Sequence, residues 1–413
     1  MPLFFTQLIL VKALLISACA PDATTESQTG TTNWVLRLTQ LLSRLHEVTL
    51  ITIPPIREPW LLTGHCELRE FSPRPIQNKL LRIALSLLRG IYPSMWLQYC
   101  PSISTYLKGI SPGEFDVCWV LEDYGGVYIR DIPQHLPVAF HRSYVLGMQL
   151  SFVPPDATFV DKLKGGYHES TAKAFDRWTS KRANLVLTGT QASTDFIREN
   201  YPHNQVEYFP VKPCHRPEAT TIEKITVPQG PEDRLVAVFL ADMGFIRNAE
   251  GAGWFLKEVL PLMPESLRRK YHFRFIGRKP EPMPDVAGLP CGSSVEFSGF
   301  VDNLTVSLHE AQVAFIPVFG GNGIRIKTVT LLGTGLPTVS TQDALEGLSV
   351  KQDEDTVIAA SPQEFIQGFE KLLVAETRIQ FYQNALKAMD HFLNEANDAE
   401  DLLQLSKSIV DES

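Results

Sequence analysis

The chain alternates short apolar runs with stretches of helical period. "ALLISAC", Ala13 to Cys19, is followed by a polar loop that ends at Gly30. Trp34, Leu38, Leu41, Leu42 and Leu45 then recur near helical spacing, and a second apolar run, "EVTLITI", begins at Glu47. A strand covered on both faces reads as a continuous apolar run, and a period near 3.6 marks an amphipathic helix. Strand, loop, helix, strand therefore predicts a βαβ unit. The pattern recurs in "DVCWVL" from Asp116, "PVAF" from Pro137, "LVLTGT" from Leu185 and "VEYFP" from Val206. After Pro210 the chain is rich in Pro and polar residues, and then strands resume with "LVAVFL", "HFRFIG", "VEFSG", "VAFIPV" and "PTVS".

Strands that alternate with helices predict α/β architecture built from doubly wound parallel sheets. The expected layout is an N-terminal Rossmann-like domain at 1–212, a linker at 213–234, and a C-terminal Rossmann-like domain at 235–361. Helices at 362–413 are expected to pack back toward the N-terminal domain. Two such domains facing across a cleft would bind ligands at the carboxyl ends of their strands. The apolar start has a rival reading as a leader, since "ISAC" at Ile16 to Cys19 resembles a lipoprotein cleavage box. No Lys or Arg precedes Lys12, which also interrupts the run, so a buried first strand is the expectation.

Composition narrows this picture. With 413 residues, 44% hydrophobic content and 20% charge, the chain suits a globular protein with a sizeable core. A net charge of −8 argues against a nucleic-acid coat, so any polyanion site is local. Cys19, Cys66, Cys100, Cys118, Cys214 and Cys291 form no CxxC pair, which suggests neither a zinc site nor a disulfide framework. A reducing cytoplasm is the expected location. The DxD triplet Asp353-Glu354-Asp355 lies in a polar stretch and reads as a loop; no metal site is expected.

The densest chemistry lies in "GGNGIRIKTVTLLGTGLPTVST", from Gly320 to Thr341. The strand "QVAFIPVF" runs into a turn at Gly320 to Gly323, and a short helix starts near Ile324 and ends at Gly333 or Gly335. Helix N-termini present unpaired N–H groups and a partial positive charge, which attract phosphate, and glycine lets an anion approach the backbone. Arg325 and Lys327 would point about 200° apart on a regular helix. At an irregular helix start their long side chains can converge on a diphosphate, Arg as a planar fork and Lys as a point charge. Cations at that end oppose the helix dipole unless an anion is bound.

The run "FSGFVDNLTVSLHEAQVAFIPVFGGNGIRIKTVTLLGTGLPTVSTQDALEGL" resembles the donor site of GT-B glycosyltransferases of the family-four, "glycosyl transferases group one" type. "VFLADMGFIRNAEGAGWFLKEVLP", Val238 to Pro261, is similar to the first strand and helix of their C-terminal domain, with Asn248, Trp254, Phe255 and Pro261 in place. The resemblance implies transfer of a sugar from a nucleotide diphosphate sugar to an acceptor hydroxyl, with retention of configuration, by front-face attack and without a metal. The donor is the co-substrate, and no other cofactor is implied. Arg325 and Lys327 would stabilise the departing diphosphate, and His141, just after "PVAF", would be the active-site histidine of the N-terminal domain. Gly30, Gly321, Asn322, Gly323, Ile324, Thr330, Glu346 and Gly347 would line the donor site. The acceptor would be a saccharide, a lipid-linked glycan or a small metabolite.

This chain departs from the family in instructive ways. Many members carry a Glu, seven residues and a second Glu; those positions are Asn322 and Thr330 here, which removes the usual acceptor for ribose hydroxyls. Ala241 stands where Gly is common. Two other readings therefore stay open: a catalytically weak nucleotide-sugar binding scaffold, and a sugar nucleotide epimerase on the same architecture. Between Phe71 and Gly113 there are five basic residues, Arg74, Lys79, Arg82, Arg89 and Lys108, and no acidic one. "NKLLRIALSLLRGIYPSMWLQY" reads either as a peripheral contact at an anionic inner membrane face or as a buried helix with snorkelling cations.

Overall fold

The computed structural model describes residues 11–18, 30–53, 65–72, 76–92, 95–96, 99–143, 145–149, 158–202, 205–321 and 323–411. They form two compact units, Met1–Cys214 with Glu395–Ser413, and His215–Asn394. In the first unit the strands are β1 (Lys12–Ser17), β2 (Glu47–Thr52), β3 (Cys66–Glu70), β4 (Val117–Leu121), β5 (Val138–Arg142), β6 (Leu185–Thr188) and β7 (Gln205–Tyr208). They make one parallel sheet in the order β3-β2-β1-β4-β5-β6-β7. Helices α1 (Gly30–Leu45), α2 (Lys79–Arg89) and α3 (Phe159–Arg182) belong to this unit. Cys19, the last residue of the expected first strand, lies outside the described residues.

The second unit holds β8 (Leu235–Leu240), β9 (Tyr271–Ile276), β10 (Val295–Gly299), β11 (Val313–Ile316), β12 (Thr338–Ser340) and β13 (Val357–Ile358), parallel in the order β10-β9-β8-β11-β12-β13. Its helices include α4 (Ile222–Thr226), α5 (Ile246–Trp254), α6 (Ile326–Gly333), α7 (Pro362–Lys371) and α8 (Ala375–Phe392). The last helix, α9 (Glu395–Asp411), returns to the first unit. Each sheet reverses its strand order once, between β1 and β4 and between β8 and β11, and such switch points are where open α/β sheets bind ligands. Strands β3 and β13 escape the sequence reading. The first is a half-exposed edge strand, "CELRE", and the second is two residues long, so neither needs an apolar run.

Two expected boundaries shift. The linker read at 213–234 contains α4, whose Ile225 is buried, and the buried Arg378 of α8 donates to the carbonyls of Ile225 and Thr226 at 2.8 and 2.9 Å. That segment is folded into the second unit because these carbonyls are capped there. The helical tail read as one piece at 362–413 is divided. Phe365 and Phe369 of α7 are buried in the aromatic core with Tyr271, Phe273 and Phe315, whereas α9 packs on α1. In α9, Asp398 is buried and accepts from Arg37 at 2.6 Å and from Lys212 at 2.5 Å, while Arg37 also donates to the Pro213 carbonyl at 3.0 Å. Asp398→Asn strands two buried cations, so it is expected to cost the N-terminal unit about 3–5 kcal/mol. A lower midpoint of urea unfolding measures this.

The Asp353 to Asp355 stretch is a loop whose carboxylates are engaged internally. Asp353 pairs with Lys371 at 2.8 Å, Glu354 pairs with Lys351 at 3.1 Å, and Asp355 accepts from the Lys351 amide at 2.8 Å. Among the described residues the cysteines are free, and no cluster of three or more His, Cys, Asp or Glu residues could hold a metal. No described helix is long and apolar enough to cross a membrane.

Candidate functional site

The chain leaving β11 emerges at the switch point of the second sheet. It passes through Gly320, Gly321 and Gly323, whose φ values of 63°, 89° and 107° favour glycine strongly. Helix α6 then starts at Ile326 with Arg325 as its cap, in extended conformation. The crossover helix after β8, α5, lies tight against this chain: a Cβ on Gly251 would sit 2.0 Å from the Pro317 carbonyl oxygen. That approach presents Arg247 and Asn248 to the glycine turn. Arg247 donates to the Phe319 carbonyl at 3.2 Å, and a Cβ on Gly320 would lie 2.6 Å from its guanidinium.

Arg325 and Lys327 point different ways. The Arg325 guanidinium donates to the carbonyls of Gly320 at 2.6 Å and Gly321 at 3.3 Å, and to that of Asp343. It thereby ties the glycine turn to the segment after β12. Glu346 lies 4.0 Å from it and accepts from the Gly323 amide at 3.0 Å, and Asp343 accepts from the Gly320 amide at 2.6 Å. Lys327 reaches toward α5, donating to Asn248 Oδ1 at 2.5 Å, and its ammonium stands 5.0 Å over the Phe239 ring. Asn248 is itself oriented by donation to the Asp242 carbonyl at 2.7 Å. Burial, with a smaller contribution from the Arg325 charge, pushes the Lys327 ammonium down to about 7. Burial also lowers the Arg325 pKa and raises that of Glu346.

The structure thus brings Gly321, Gly323, Ile324, Arg325, Lys327, Glu346 and Gly347 into one neighbourhood. Gly347, at φ 77°, turns the chain directly after Glu346. Thr330 lies one turn into α6, and its hydroxyl donates to the Ile326 carbonyl at 2.9 Å, leaving oxygen lone pairs as its free capacity. Asn322 lies outside the described residues. Arg247 and Asp343 are site members that the sequence reading did not single out. The strand-turn-helix order at "LVAVFLADMGFIRN" signals Arg247, since crossover helices start at the same carboxyl edge.

His141 and Gly30 belong to the other unit. Gly30 is the first residue of α1. His141 is fully buried near the end of β5, where Trp34 of α1 donates to its Nδ1 at 3.1 Å, so the neutral ring carries its proton on Nε2. Nε2 is buried without a hydrogen-bond partner of normal geometry among the described residues, although the Phe209 backbone raises the basicity slightly. Burial dominates and pushes the imidazole down to about 3. Beside it, where β4 pairs with β5, Glu122 holds a left-handed φ of 58°. Its carboxyl accepts from the Ala18 amide at 3.0 Å and the Tyr124 amide at 2.9 Å, and burial pushes it up to about 8. Arg142, next to His141, pairs with Asp123 at 2.8 Å and Asp176 at 2.5 Å, all fully or almost fully buried. The sequence reading missed Glu122, although an acid directly after five buried residues is itself a signal.

Residues 234–374 match the family described as "Glycosyl transferases group 1". A search of curated protein sequences gave no match. Among solved structures, the chain is similar to sucrose-phosphate synthase from Thermosynechococcus elongatus, with a TM-score of 0.67, 13% identity, and coverage of 98% of this chain and 100% of that one. Anabaena HepE in complex with UDP and glucose gives 0.60 and 11% over 96% and 100% of the two chains. An E. coli structure described as trehalose-6-phosphate bound with UDP-2-fluoro glucose gives 0.62 and 10% over 96% and 99%. Residues 234–374 are thus similar to the group 1 glycosyltransferase family, and the chain shares the GT-B fold of these structures.

Proposed function

We propose that the chain moves a sugar from a nucleotide diphosphate sugar to an acceptor hydroxyl, with retention of configuration and without a metal, in a reducing cytoplasm. The observation that carries this reading is Lys327. A buried ammonium held by a neutral amide, with no carboxylate in hydrogen-bond contact among the described residues, is costly until an anion arrives. The Arg325 guanidinium and the start of α6 add positive potential beside it. Neighbours of the same fold hold UDP or a UDP-sugar analogue, which supports this donor class.

Chemically, the bond between the anomeric carbon and the diphosphate oxygen breaks while the acceptor oxygen bonds to the same face. Negative charge grows on the leaving group, and cations already in place stabilise it without reorganising. The acceptor proton passes to the departing phosphate oxygen. The acceptor is a saccharide, a lipid-linked glycan or a small metabolite. A binding scaffold of low activity is the second reading, favoured by Thr330 at a position where many relatives carry a carboxylate.

Thermal shift against UDP, GDP, ADP, CDP and dTDP without metal tests the donor site. One nucleotide is expected to raise the melting temperature by several degrees. Bound diphosphate raises the Lys327 pKa from about 7, so the complex holds the proton more tightly and affinity falls as pH rises from 7 to 9. That window lies above the last diphosphate ionisation, near ~6. No shift with any nucleotide would overturn the donor site. A shift without slow donor hydrolysis or transfer would select the scaffold.

A further inference from the structure

Helix α2 is mounted with its apolar face outward. Leu80, Leu81, Leu87 and Leu88 are 77%, 50%, 64% and 81% exposed, and Ala84 between them is exposed too. At 100° per residue these five positions fall within an arc of about 120°, a continuous stripe. The opposite side turns inward through Ser86, which is buried and accepts from Trp96 Nε1 at 3.1 Å. Side contacts fix this orientation. In α3, Tyr167 donates to the Ile83 carbonyl at 3.4 Å and Trp178 donates to the Gly90 carbonyl at 2.8 Å, so α3 runs alongside α2. One turn before Tyr167, α3 adds a further exposed leucine, Leu163, between the exposed Lys162 and Lys164.

Charge identifies the occupant. Lys79, Lys162 and Lys164 stand exposed toward one end of the stripe, and Arg89 and Arg130 toward the other, where Arg130 donates to the Arg89 carbonyl at 2.7 Å. Among the described carboxylates near this rim, Asp131 is paired with Lys108 at 3.1 Å and Glu169 with Lys173 at 2.5 Å. A leucine stripe rimmed by cations on a protein of net charge −8 opposes the global charge balance, and it suits an apolar layer beneath anionic headgroups. We propose that α2 and the adjoining start of α3 form a docking face for an anionic lipid bilayer, with the leucines entering the acyl boundary and the cations at the headgroups. This inference rests on no transfer activity.

The test is co-sedimentation of the full chain with vesicles of phosphatidylcholine alone or mixed with phosphatidylglycerol. Binding is expected only to the anionic vesicles, and high salt is expected to weaken it. Leu81→Ser with Leu88→Ser is expected to reduce binding by about tenfold or more while leaving the melting temperature unchanged, because both side chains are exposed. Lys162→Glu with Lys164→Glu is expected to weaken binding as well. Absence of binding to anionic vesicles at low salt would overturn the proposal, as would equal binding by the leucine variant. A wild-type dimer in light scattering that the leucine variant converts to monomer would assign the stripe to a second copy instead.

Discussion

Lys327→Met is expected to lower kcat for sugar transfer by about 10²–10³-fold while leaving a folded protein, because it removes a preorganised charge from the departing diphosphate. The wild-type ammonium is buried, oriented by Asn248, and further disfavoured by the nearby Arg325 charge, a cost that a bound anion offsets. The stability consequence has a definite sign. The unfolded lysine titrates near its ordinary 10.5 and the folded one near about 7, so between these values the unfolded chain holds a proton that the folded chain does not. Wild type therefore loses stability from this group as pH falls from 10.5 toward 7. Methionine fills similar volume without the charge, so the variant is expected to melt at or above wild type at pH 7 and closer to it at pH 9. Steady-state kinetics and melting curves on the same samples check both parts. A variant that melts several degrees lower at pH 7 would mean that the ammonium serves the fold rather than the reaction. Arg325→Ala is expected to behave differently, since its guanidinium also holds the backbone carbonyls of Gly320, Gly321, Gly323 and Asp343.

Gly251→Ala is expected to destabilise the second unit by about 3 kcal/mol or more and to abolish the nucleotide-induced thermal shift. A Cβ there would lie 2.0 Å from the Pro317 carbonyl oxygen, a backbone atom that cannot swing aside. The helix must retreat, taking Arg247 and Asn248 away from the glycine turn. Gly253→Ala is the control on the same helix. A Cβ at Gly253 meets nothing within 4 Å, so alanine is expected to stabilise the helix by up to about 1 kcal/mol and to preserve nucleotide binding. Calorimetry of the two variants with and without nucleotide separates close packing from a general intolerance of substitution in α5.

Much of the fold is legible because parallel strands are covered on both faces. "LVAVFL" and "DVCWVL" are buried almost throughout and carry an unbroken apolar run that marks them directly. The half-exposed edge strand "CELRE" lacks such a run, which is why it escaped the sequence reading. The glycine turn was equally legible, since left-handed backbone and a helix start each leave residue-level marks. The partners of its cations were not. Nothing in the spacing of Arg325 and Lys327 says that the first would bind backbone carbonyls and the second would be buried against Asn248, about 80 residues earlier in the chain.

The sequence by itself determined two α/β sheets, the site of the glycine turn and its excess of positive charge. These follow from local propensity and from the burial that a doubly wound sheet imposes on each strand. Only the tertiary structure decided which cation loses its water, that α5 approaches closely enough to orient it, that α9 returns to the first unit through Asp398, and that α2 turns its leucines outward. Each of these depends on contacts between segments far apart in the chain, where periodicity reports how much of a helix is apolar but not which way that face is turned.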